Sequence, residues 1–207
     1  MNPVLKKLHM EGKKFVTSDE IKEIGSQYGL DHGNTVRNLM SRGHLLRILR
    51  GIFYVKSFDE VELGRTELSH LELVSKGLEL KGVDDWYFGL HTALKLSNIT
   101  HEHFPIDYVV SGTIFRRNPI NVAGYKFKFV KIKESLLGFG IKENRYTYSD
   151  LEKTILDFIY LWRYNGKTNE RILMDISDYA RDVSMRRIRN YSIHYPKTVQ
   201  NLLEELD

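Results

Sequence analysis

"HGNTVRNLMSRGHLLRILRGIFYV", residues 32–55, decides the fold of the first part of the chain and raises a question about charge. The stretch holds four arginines and no acid. From Asp31 to Lys56 there are five Lys/Arg and one acid, a balance of 5 − 1 = +4, which equals the formal charge of the whole 207-residue chain. Such a concentration of positive charge indicates a polyanionic partner for this segment.

Local patterns predict three helices followed by a two-stranded hairpin. Thr17 and Glu20 have the spacing of a capping box at the start of the second helix, and Asp31 is placed to cap the third. Two short apolar segments, 45–49 and 52–55, predict strands that turn at Arg50-Gly51. The residues that form the apolar faces of the first and third helices are Val4, Leu5, Leu8, Val36, Leu39 and Met40. This order predicts a winged helix-turn-helix over residues 1–57.

The polar positions that remain predict a DNA-binding surface. In a major groove, arginine can donate two hydrogen bonds to guanine and asparagine can pair with adenine. Arginines on the hairpin would contact phosphates or enter the adjacent minor groove. The predicted DNA-binding residues are Asn34, Arg37, Asn38, Ser41 and Arg42 on the third helix, with Arg47 and Arg50 on the hairpin. About four phosphate contacts would give a log–log salt slope of about −3.6.

Two other interpretations of this surface stay open. The arginines could form a solvated basic face on a small helical domain. Winged helices also bind proteins, so the segment could be an interaction module that binds no DNA. An interaction module would show no salt-dependent affinity for DNA, which distinguishes it from a DNA-binding surface.

Composition predicts a cytoplasmic protein without a membrane segment. The chain contains no cysteine, which excludes disulfides and zinc fingers and favours a reducing compartment. The N-terminal sequence MNPVLKKLHMEGKKF lacks the long apolar region of a signal peptide. A run of about eighteen apolar residues, which a spanning helix needs, does not occur.

Residues 58–207 predict a larger α+β domain, with a sheet flanked by helices. The acidic and polar segment 57–66 marks the predicted boundary. Segments 106–117 and 120–133 are rich in Val, Ile, Tyr and Phe and predict strands. Ser149 and Glu152 predict a second capping box. The other predicted helices cover segments 68–80, 86–100, 151–162, 171–189 and 199–206.

Three stretches of the chain together resemble the AbiEi family of antitoxins and transcriptional regulators, from abortive-infection (type IV) toxin–antitoxin pairs. "LMSRGHLLRILRGIFYV", residues 39–55, matches a basic helix end followed by a hairpin with Gly and Tyr. "WYFGLHTALKLSNIT", residues 86–100, resembles the family's aromatic-then-Ala-Leu helix. "SDLEKTILDFIY", residues 149–160, is similar to its Glu-Lys-x-x-Leu-Asp helix. Many members have proline just before that glutamate, where this chain has Leu151.

The resemblance implies two roles. The first domain would bind inverted repeats in its own promoter and repress the operon. The second would supply antitoxin activity against a nucleotidyltransferase-like toxin, without needing a stable complex with it. A stand-alone regulator without a toxin is the alternative that the same resemblance allows.

Candidate catalytic and metal-binding residues are few. Glu79-Leu80-Lys81 has the Glu-x-Lys spacing of some metal-dependent nucleases, so a nuclease targeted by the winged helix is a further alternative, although the tripeptide closes a helical pattern rather than lying on a strand. His101 and His103 are too few to hold a metal without cysteine. Acids in a first helical turn, such as Asp150 and Glu152, favour the helix dipole. We therefore expect no enzyme, no catalytic residue, no metal and no cofactor.

A second basic cluster lies near the C-terminus of the sequence. Its residues are Arg181, Arg186, Arg187, Arg189 and Lys197, opposed by Asp182. A solvated helix face is the plain interpretation. The functional one is a further contact with the DNA backbone, or a surface for an acidic or RNA partner.

Overall fold

The computed structural model describes residues 2–205 and has an α+β architecture. It divides into two compact units: residues 1–84 with 121–125, and residues 85–120 with 126–207. The second unit is built on a mixed sheet whose neighbouring helices pack against it. The predicted α+β class, with a sheet flanked by helices, is confirmed at that level.

The first unit contains a three-stranded antiparallel sheet of order β1-β3-β2. Its elements are α1 (Pro3–Met10), β1 (Phe15–Thr17), α2 (Ser18–Ser26), α3 (His32–Ser41), β2 (Leu45–Leu49), β3 (Ile52–Val55), α4 (Phe58–Glu62) and α5 (His70–Leu80). The capping box predicted at the start of α2 is present, with both Thr17 and Glu20 in place. Leu5, Ile21 and Leu39 fill the core between the helices and β3, each at most 2% exposed.

The first unit extends beyond the boundary that the sequence predicts. That boundary lay at residues 57/58, whereas the structure divides at 84/85. The acidic segment forms α4, and α5 packs so closely on β2 that a Cβ on Gly77 would lie 2.7 Å from Ile48 Cγ2. The buried Glu60 carboxylate accepts hydrogen bonds from Tyr54 Oη at 2.7 Å and from the Glu67 amide at 2.6 Å. These contacts make the predicted linker part of the first unit.

The second unit is built on a mixed sheet in which five strands neighbour one another in the order β7-β5-β4-β9-β8. These strands are β4 (Trp86–Phe88), β5 (Ile106–Ser111), β7 (Tyr125–Lys131), β8 (Ile141–Glu143) and β9 (Thr147–Ser149), whereas most of β6 (Ile120–Val122) belongs to the segment 121–125 of the first unit. Its helices are α6 (Leu90–Leu96), α7 (Leu151–Tyr164), α8 (Asn169–Ala180), α9 (Met185–Ser192) and α10 (Lys197–Glu204). Pairs β5–β7 and β4–β9 are parallel, whereas β4–β5 and β8–β9 are antiparallel.

Helix α7 is the centre of the second unit. Every residue from Leu151 to Ile159 is buried, and α6, α8, α9 and α10 all pack against this helix. With 14 residues it is the longest helix of the described chain.

Among residues 2–205 we find no helix with the length and apolar character that a membrane crossing requires.

Three predictions for the second unit are wrong in detail. The predicted helix 86–100 begins with strand β4, because Trp86, Tyr87 and Phe88 pair with β5 and only then does the chain turn at Gly89 into α6. Ser149 ends β9 and bonds Thr154 Oγ1, so Asp150 is the true N-cap of α7.

The predicted helix 171–189 is two helices, because Ser184 caps a new one and its side chain accepts from the Arg187 amide. Strands β8 and β9 were not predicted. The last predicted helix corresponds to α10, and Leu206, where the prediction ended, lies outside the described residues.

Candidate nucleic-acid interface

Helix α3 and its C-cap present the five polar side chains that the sequence predicted for DNA binding on this helix. Asp31 caps the helix by accepting from the Asn34 amide at 2.8 Å. Thr35, Val36 and Leu39 are buried and fix the helix on the core. The exposed residues of the opposite face and the C-cap are Asn34, Arg37, Asn38, Ser41 and Arg42. The structure thus places these five at the surface, as predicted.

A groove of about 1130 Å³ lies beside α3 and the β2–β3 hairpin. Arg37 and Ser41, four residues apart, reach it from the helix, and Arg47 and Arg50 reach it from the hairpin. Lys81, which the sequence reasoning missed, also lines it. Among the described residues that line this groove, four are Lys or Arg and none is acidic.

Three predicted residues lie outside the groove lining, namely Asn34, Asn38 and Arg42. Asn34 nevertheless contacts the groove indirectly, because its Oδ1 accepts from Arg37 Nη1 at 3.0 Å. Arg42 is the C-cap of α3 and follows the last helical residue. The surface therefore has an inner row that lines the groove and an outer row beside it.

The hairpin is held close to the start of α2. The Gly51 carbonyl accepts from the Ser18 amide at 2.8 Å, and Gly51 adopts φ of 80°, which a tight turn needs and a side chain disfavours. The Arg47 guanidinium lies 5.6 Å from the ring centroid of buried Phe53. This stacking restricts the arginine while leaving its N–H groups for a ligand.

The charge of these arginines is not compensated by neighbouring acids. Within residues 2–205, Arg37, Arg42, Arg47 and Arg50 form no salt bridge. A cation without an acidic partner in the protein attracts mobile counterions, which are released when a polyanion binds.

The second basic cluster is different. Arg181 pairs with Asp178 at 2.8 Å, and Arg187 contacts Glu152 at 3.3 Å and Asp150 at 4.0 Å. Arg186 and Arg189 are exposed on the same short helix, α9. Because Arg181 and Arg187 are paired within the protein, this surface is a weaker candidate for polyanion binding.

Two buried side chains of α7, Lys153 and Asp157, form a polar network with Tyr87 and Tyr195, and the sequence reasoning missed it. Lys153 and Asp157 are both 0% exposed, and Lys153 Nζ lies 2.6 Å from Asp157 Oδ1. Lys153 Nζ also contacts the hydroxyls of Tyr87 and Tyr195, each at 2.8 Å. Each tyrosine hydroxyl donates to Asp157 at 2.7 Å. All four polar groups are therefore satisfied without water.

Burial is the largest cause of the pKa shifts of Lys153, Tyr87 and Tyr195. It lowers the pKa of Lys153, against the opposing attraction of Asp157. It raises the pKa of Tyr87 and of Tyr195 well above the ordinary value, and the charge of Asp157 acts in the same direction. The hydroxyls thus stay protonated and donate. These atoms are buried, so the network is not a binding site for a ligand. Its hydrogen bonds hold α7 to β4 and to the segment before α10.

The structure does not bring the remaining candidate catalytic and metal-binding residues together. Glu79 pairs with Lys76 at 2.6 Å near the end of α5, and Lys81 is the C-cap of that helix. His101 and His103 are exposed between α6 and β5. In the part of the chain that the structure describes, no three His, Cys, Asp or Glu side chains form a group able to hold a metal ion.

Comparison with known proteins shows a fold and no family. No family model matches the sequence, and no curated protein matches it either. The structure is similar to that of the Rv2827c protein from Mycobacterium tuberculosis, with a TM-score of 0.60 and 13% sequence identity. The similarity covers 99% of this chain and 74% of that one. At this identity the likeness concerns the fold alone.

Proposed function

We propose that this protein is a cytoplasmic DNA-binding transcriptional autorepressor of the AbiEi type, which acts as the antitoxin of a type IV toxin–antitoxin pair. The first unit binds double-stranded DNA at inverted repeats of its own promoter. The second unit counteracts a nucleotidyltransferase-like toxin. The observation that carries the DNA-binding part is the acid-free groove lined by Arg37, Arg47 and Arg50.

The arrangement of the first unit supports a winged helix-turn-helix. The elements α1, β1, α2, α3, β2 and β3 follow one another in the order that such a domain requires. In this interpretation α3 is the recognition helix and the β2–β3 hairpin is the wing. The polar side chains of α3 then lie at the bases, and Arg47 and Arg50 of the hairpin contact phosphates or enter the adjacent minor groove.

The antitoxin part of the proposal rests on the resemblance described above. The Glu-Lys-x-x-Leu-Asp pattern of that resemblance corresponds here to Glu152, Lys153 and Asp157. Lys153 and Asp157 form the buried network, and Glu152 accepts from the Ser184 amide at 3.0 Å. The pattern therefore supports a shared fold of the second unit rather than a shared contact with a toxin.

The first experiment measures the affinity of the full chain for DNA upstream of its own gene, against a scrambled duplex, at two salt concentrations. The groove variant is Arg37→Ala/Arg47→Ala. Its matched control is Lys6→Ala/Lys22→Ala, which removes the same charge from exposed positions outside the groove lining. We expect the groove variant to lose preferential binding and the control to keep it.

The salt dependence adds a second readout. About four phosphate contacts predict a log–log slope of about −3.6, and each lost contact reduces its magnitude by about 0.9. If the groove variant binds the upstream duplex as tightly as the wild type, the assignment of the DNA-binding residues is wrong. If the wild type shows no salt-dependent binding, the first unit is a protein-interaction module instead.

The antitoxin role needs its own test. Expression of a neighbouring nucleotidyltransferase-like gene should arrest growth, and co-expression of this chain should restore it. The Arg37→Ala/Arg47→Ala variant should restore growth as well, because the proposal assigns the two roles to different units. Growth arrest that persists with the wild-type chain would leave a stand-alone regulator.

A further inference from the structure

The most basic segment of the chain lies outside the proposed DNA interface. Residues 112–133 hold six Lys/Arg and no acid, a balance of 6 − 0 = +6, which exceeds the +4 of the whole chain. The cations are Arg116, Arg117, Lys126, Lys128, Lys131 and Lys133. On β7, exposed Lys126 and half-buried Lys128 alternate with Phe127 and Phe129, whose rings are buried on the other face of the strand.

A cavity of about 490 Å³ opens on this basic segment, entirely within the second unit. Three cations line it: Arg117, Lys128 and Lys131. Aromatic side chains come from three separate segments, and they are Tyr108, Phe115, Trp162 and Tyr164. No acid lines the cavity among the described residues. Its volume is that of a small-molecule site, for which about 300–1,000 Å³ is typical.

The strands and the adjoining loop hold the cations and the rings together. Tyr108 and Lys128 are directly paired across the parallel strands β5 and β7. Lys128 donates to the Arg117 carbonyl, and its Nζ lies 5.8 Å from the ring centroid of Phe115. The Arg116 amide donates to the Phe129 carbonyl at 3.2 Å, which fixes the loop along β7.

Two of the aromatic rings are exposed at the mouth of the cavity. Phe115 is 56% exposed and Tyr164 is 83% exposed. Large aromatic rings contribute most to stability when they are buried, so two exposed rings beside a cavity offer apolar surface to a ligand. Inside the cavity, Trp162 is fixed by Phe158, with ring centroids 4.5 Å apart.

We propose that this cavity binds a nucleotide, with its base against the exposed rings of Phe115 and Tyr164 and its phosphate against Arg117 and Lys131. Flat aromatic faces accept any nucleobase, and cations beside them accept the phosphate. The nucleotide is either a free mononucleotide or an unpaired nucleotide of single-stranded RNA or DNA, since both present the same chemistry. This site is independent of duplex binding by the first unit.

The test uses the full chain in the Arg37→Ala/Arg47→Ala background, so that the duplex-binding groove does not contribute. Binding of fluorescent ATP and GTP analogues and of a labelled single-stranded oligonucleotide is measured by anisotropy. We expect saturable binding that Phe115→Ala/Tyr164→Ala weakens by about fivefold or more, the effect of losing one stacked base. Both side chains are exposed, so the variant is expected to fold, which its circular dichroism spectrum checks.

A pair of charge variants isolates the cavity from the rest of the segment. Arg117→Gln/Lys131→Gln removes two charges from the lining, and Arg116→Gln/Lys133→Gln removes two exposed charges from the same segment outside it. We expect the first to weaken nucleotide binding and the second to leave it nearly unchanged. Equal losses in both would overturn the proposal, because they would indicate adsorption of any polyanion.

Competition identifies the source of the nucleotide. Displacement of the labelled oligonucleotide by ATP or GTP supports a free nucleotide, and displacement only by unlabelled single strands supports a strand. Inorganic polyphosphate that competes as well as either would overturn the proposal, since it has no base. Tighter binding of a duplex than of its single strand would overturn it too, and would assign the basic segment to duplex DNA.

Discussion

The groove beside α3 and the buried network around Lys153 differ in how their positive charges are paired. Arg37 and Arg47 are exposed, form no salt bridge and line a surface without acids. Lys153 is 0% exposed and has an acid and two hydroxyls within 2.8 Å. The first arrangement leaves charge available to a partner. The second pairs the charge inside the fold, where the desolvation of the two ions offsets much of the attraction between them. Loss of the first should change binding, and loss of the second should change folding.

Breaking the buried pair should have the largest effect. Lys153→Met leaves Asp157 buried without its cation, and we expect the free energy of unfolding to fall by about 3–5 kcal/mol. Denaturant unfolding followed by circular dichroism measures this. The double variant Lys153→Met/Asp157→Leu removes both charges but leaves the hydroxyls of Tyr87 and Tyr195 without their acceptor, so it should recover only part of the loss. A single variant as stable as the wild type would show that the network does not hold α7.

The backbone beside the network gives the next largest effect. Gly140 has φ of 65°, and a Cβ there would lie 2.7 Å from Lys153 Cβ and 3.0 Å from Tyr191 Cε2. Gly140→Ala should cost about 1–2 kcal/mol for the left-handed backbone and about 1–3 kcal/mol more for crowding.

Gly166→Ala is the matched control for this prediction. Gly166 also has a positive φ, of 80°, but nothing lies within 4 Å of its added Cβ. It should therefore show only the backbone cost in the same unfolding experiment. Equal costs at the two glycines would mean that the contacts around Gly140 relax freely.

Single arginine variants should sharpen the picture of the groove, with a smaller effect. Arg37 lines the groove and is held by Asn34, whereas Arg42 lies outside the lining. We expect Arg37→Ala to weaken binding of the upstream duplex by about 1–3 kcal/mol and Arg42→Ala to weaken it less. Neither should change the unfolding midpoint. A larger loss at Arg42 would move the interface towards the end of α3.

The smallest effect concerns pH and the first unit. Burial, and then the nearby His44, lower the pKa of His9 from its ordinary value of 6.5. The unfolded chain therefore binds more protons below pH 6.5, and the stability that neutral His9 contributes is lost as pH falls through the folded pKa. The His9 ring stacks on Phe58 with centroids 4.6 Å apart, so His9→Phe should keep the contact.

Unfolding midpoints measured from pH 7.5 to pH 5 check this prediction. The wild-type midpoint should fall more steeply than that of His9→Phe over this range. His101→Gln changes an exposed histidine and serves as the control, with a curve like that of the wild type. Parallel curves for wild type and His9→Phe would contradict the prediction.

The parts of the fold that were predictable are those that depend on neighbours in sequence. The capping box of Thr17 and Glu20 and the turn at Gly51 are short-range features, and they appear where the sequence places them. The exposed face of α3 follows from apolar spacing alone. To predict the groove, one also has to know that the hairpin lies beside the helix, and the order of the elements suggests this.

The parts that were not predictable depend on distant segments. Trp86–Phe88 joins the sheet only because β5 and β9 lie on its two sides, and an aromatic run before an Ala-Leu pattern resembles a continuous helix. A lysine is ordinarily exposed, so the burial of Lys153 depends on Tyr87 and Tyr195, far away in sequence. The cavity beside Phe115 is likewise assembled from several separate segments.

The carboxylate of Glu60 has a consequence for how this chain can be divided. It receives hydrogen bonds from the Ser57 amide at 2.8 Å, from Tyr54 and from the Glu67 amide, so it ties strand β3 to the segment that follows. A fragment that stops at residue 57 would lose the acceptor of the Tyr54 hydroxyl and the cover that α5 gives to β2. A shorter fragment that keeps these hydrogen bonds and the cover of β2 therefore has to extend to about residue 84, past the segment whose composition resembles a linker.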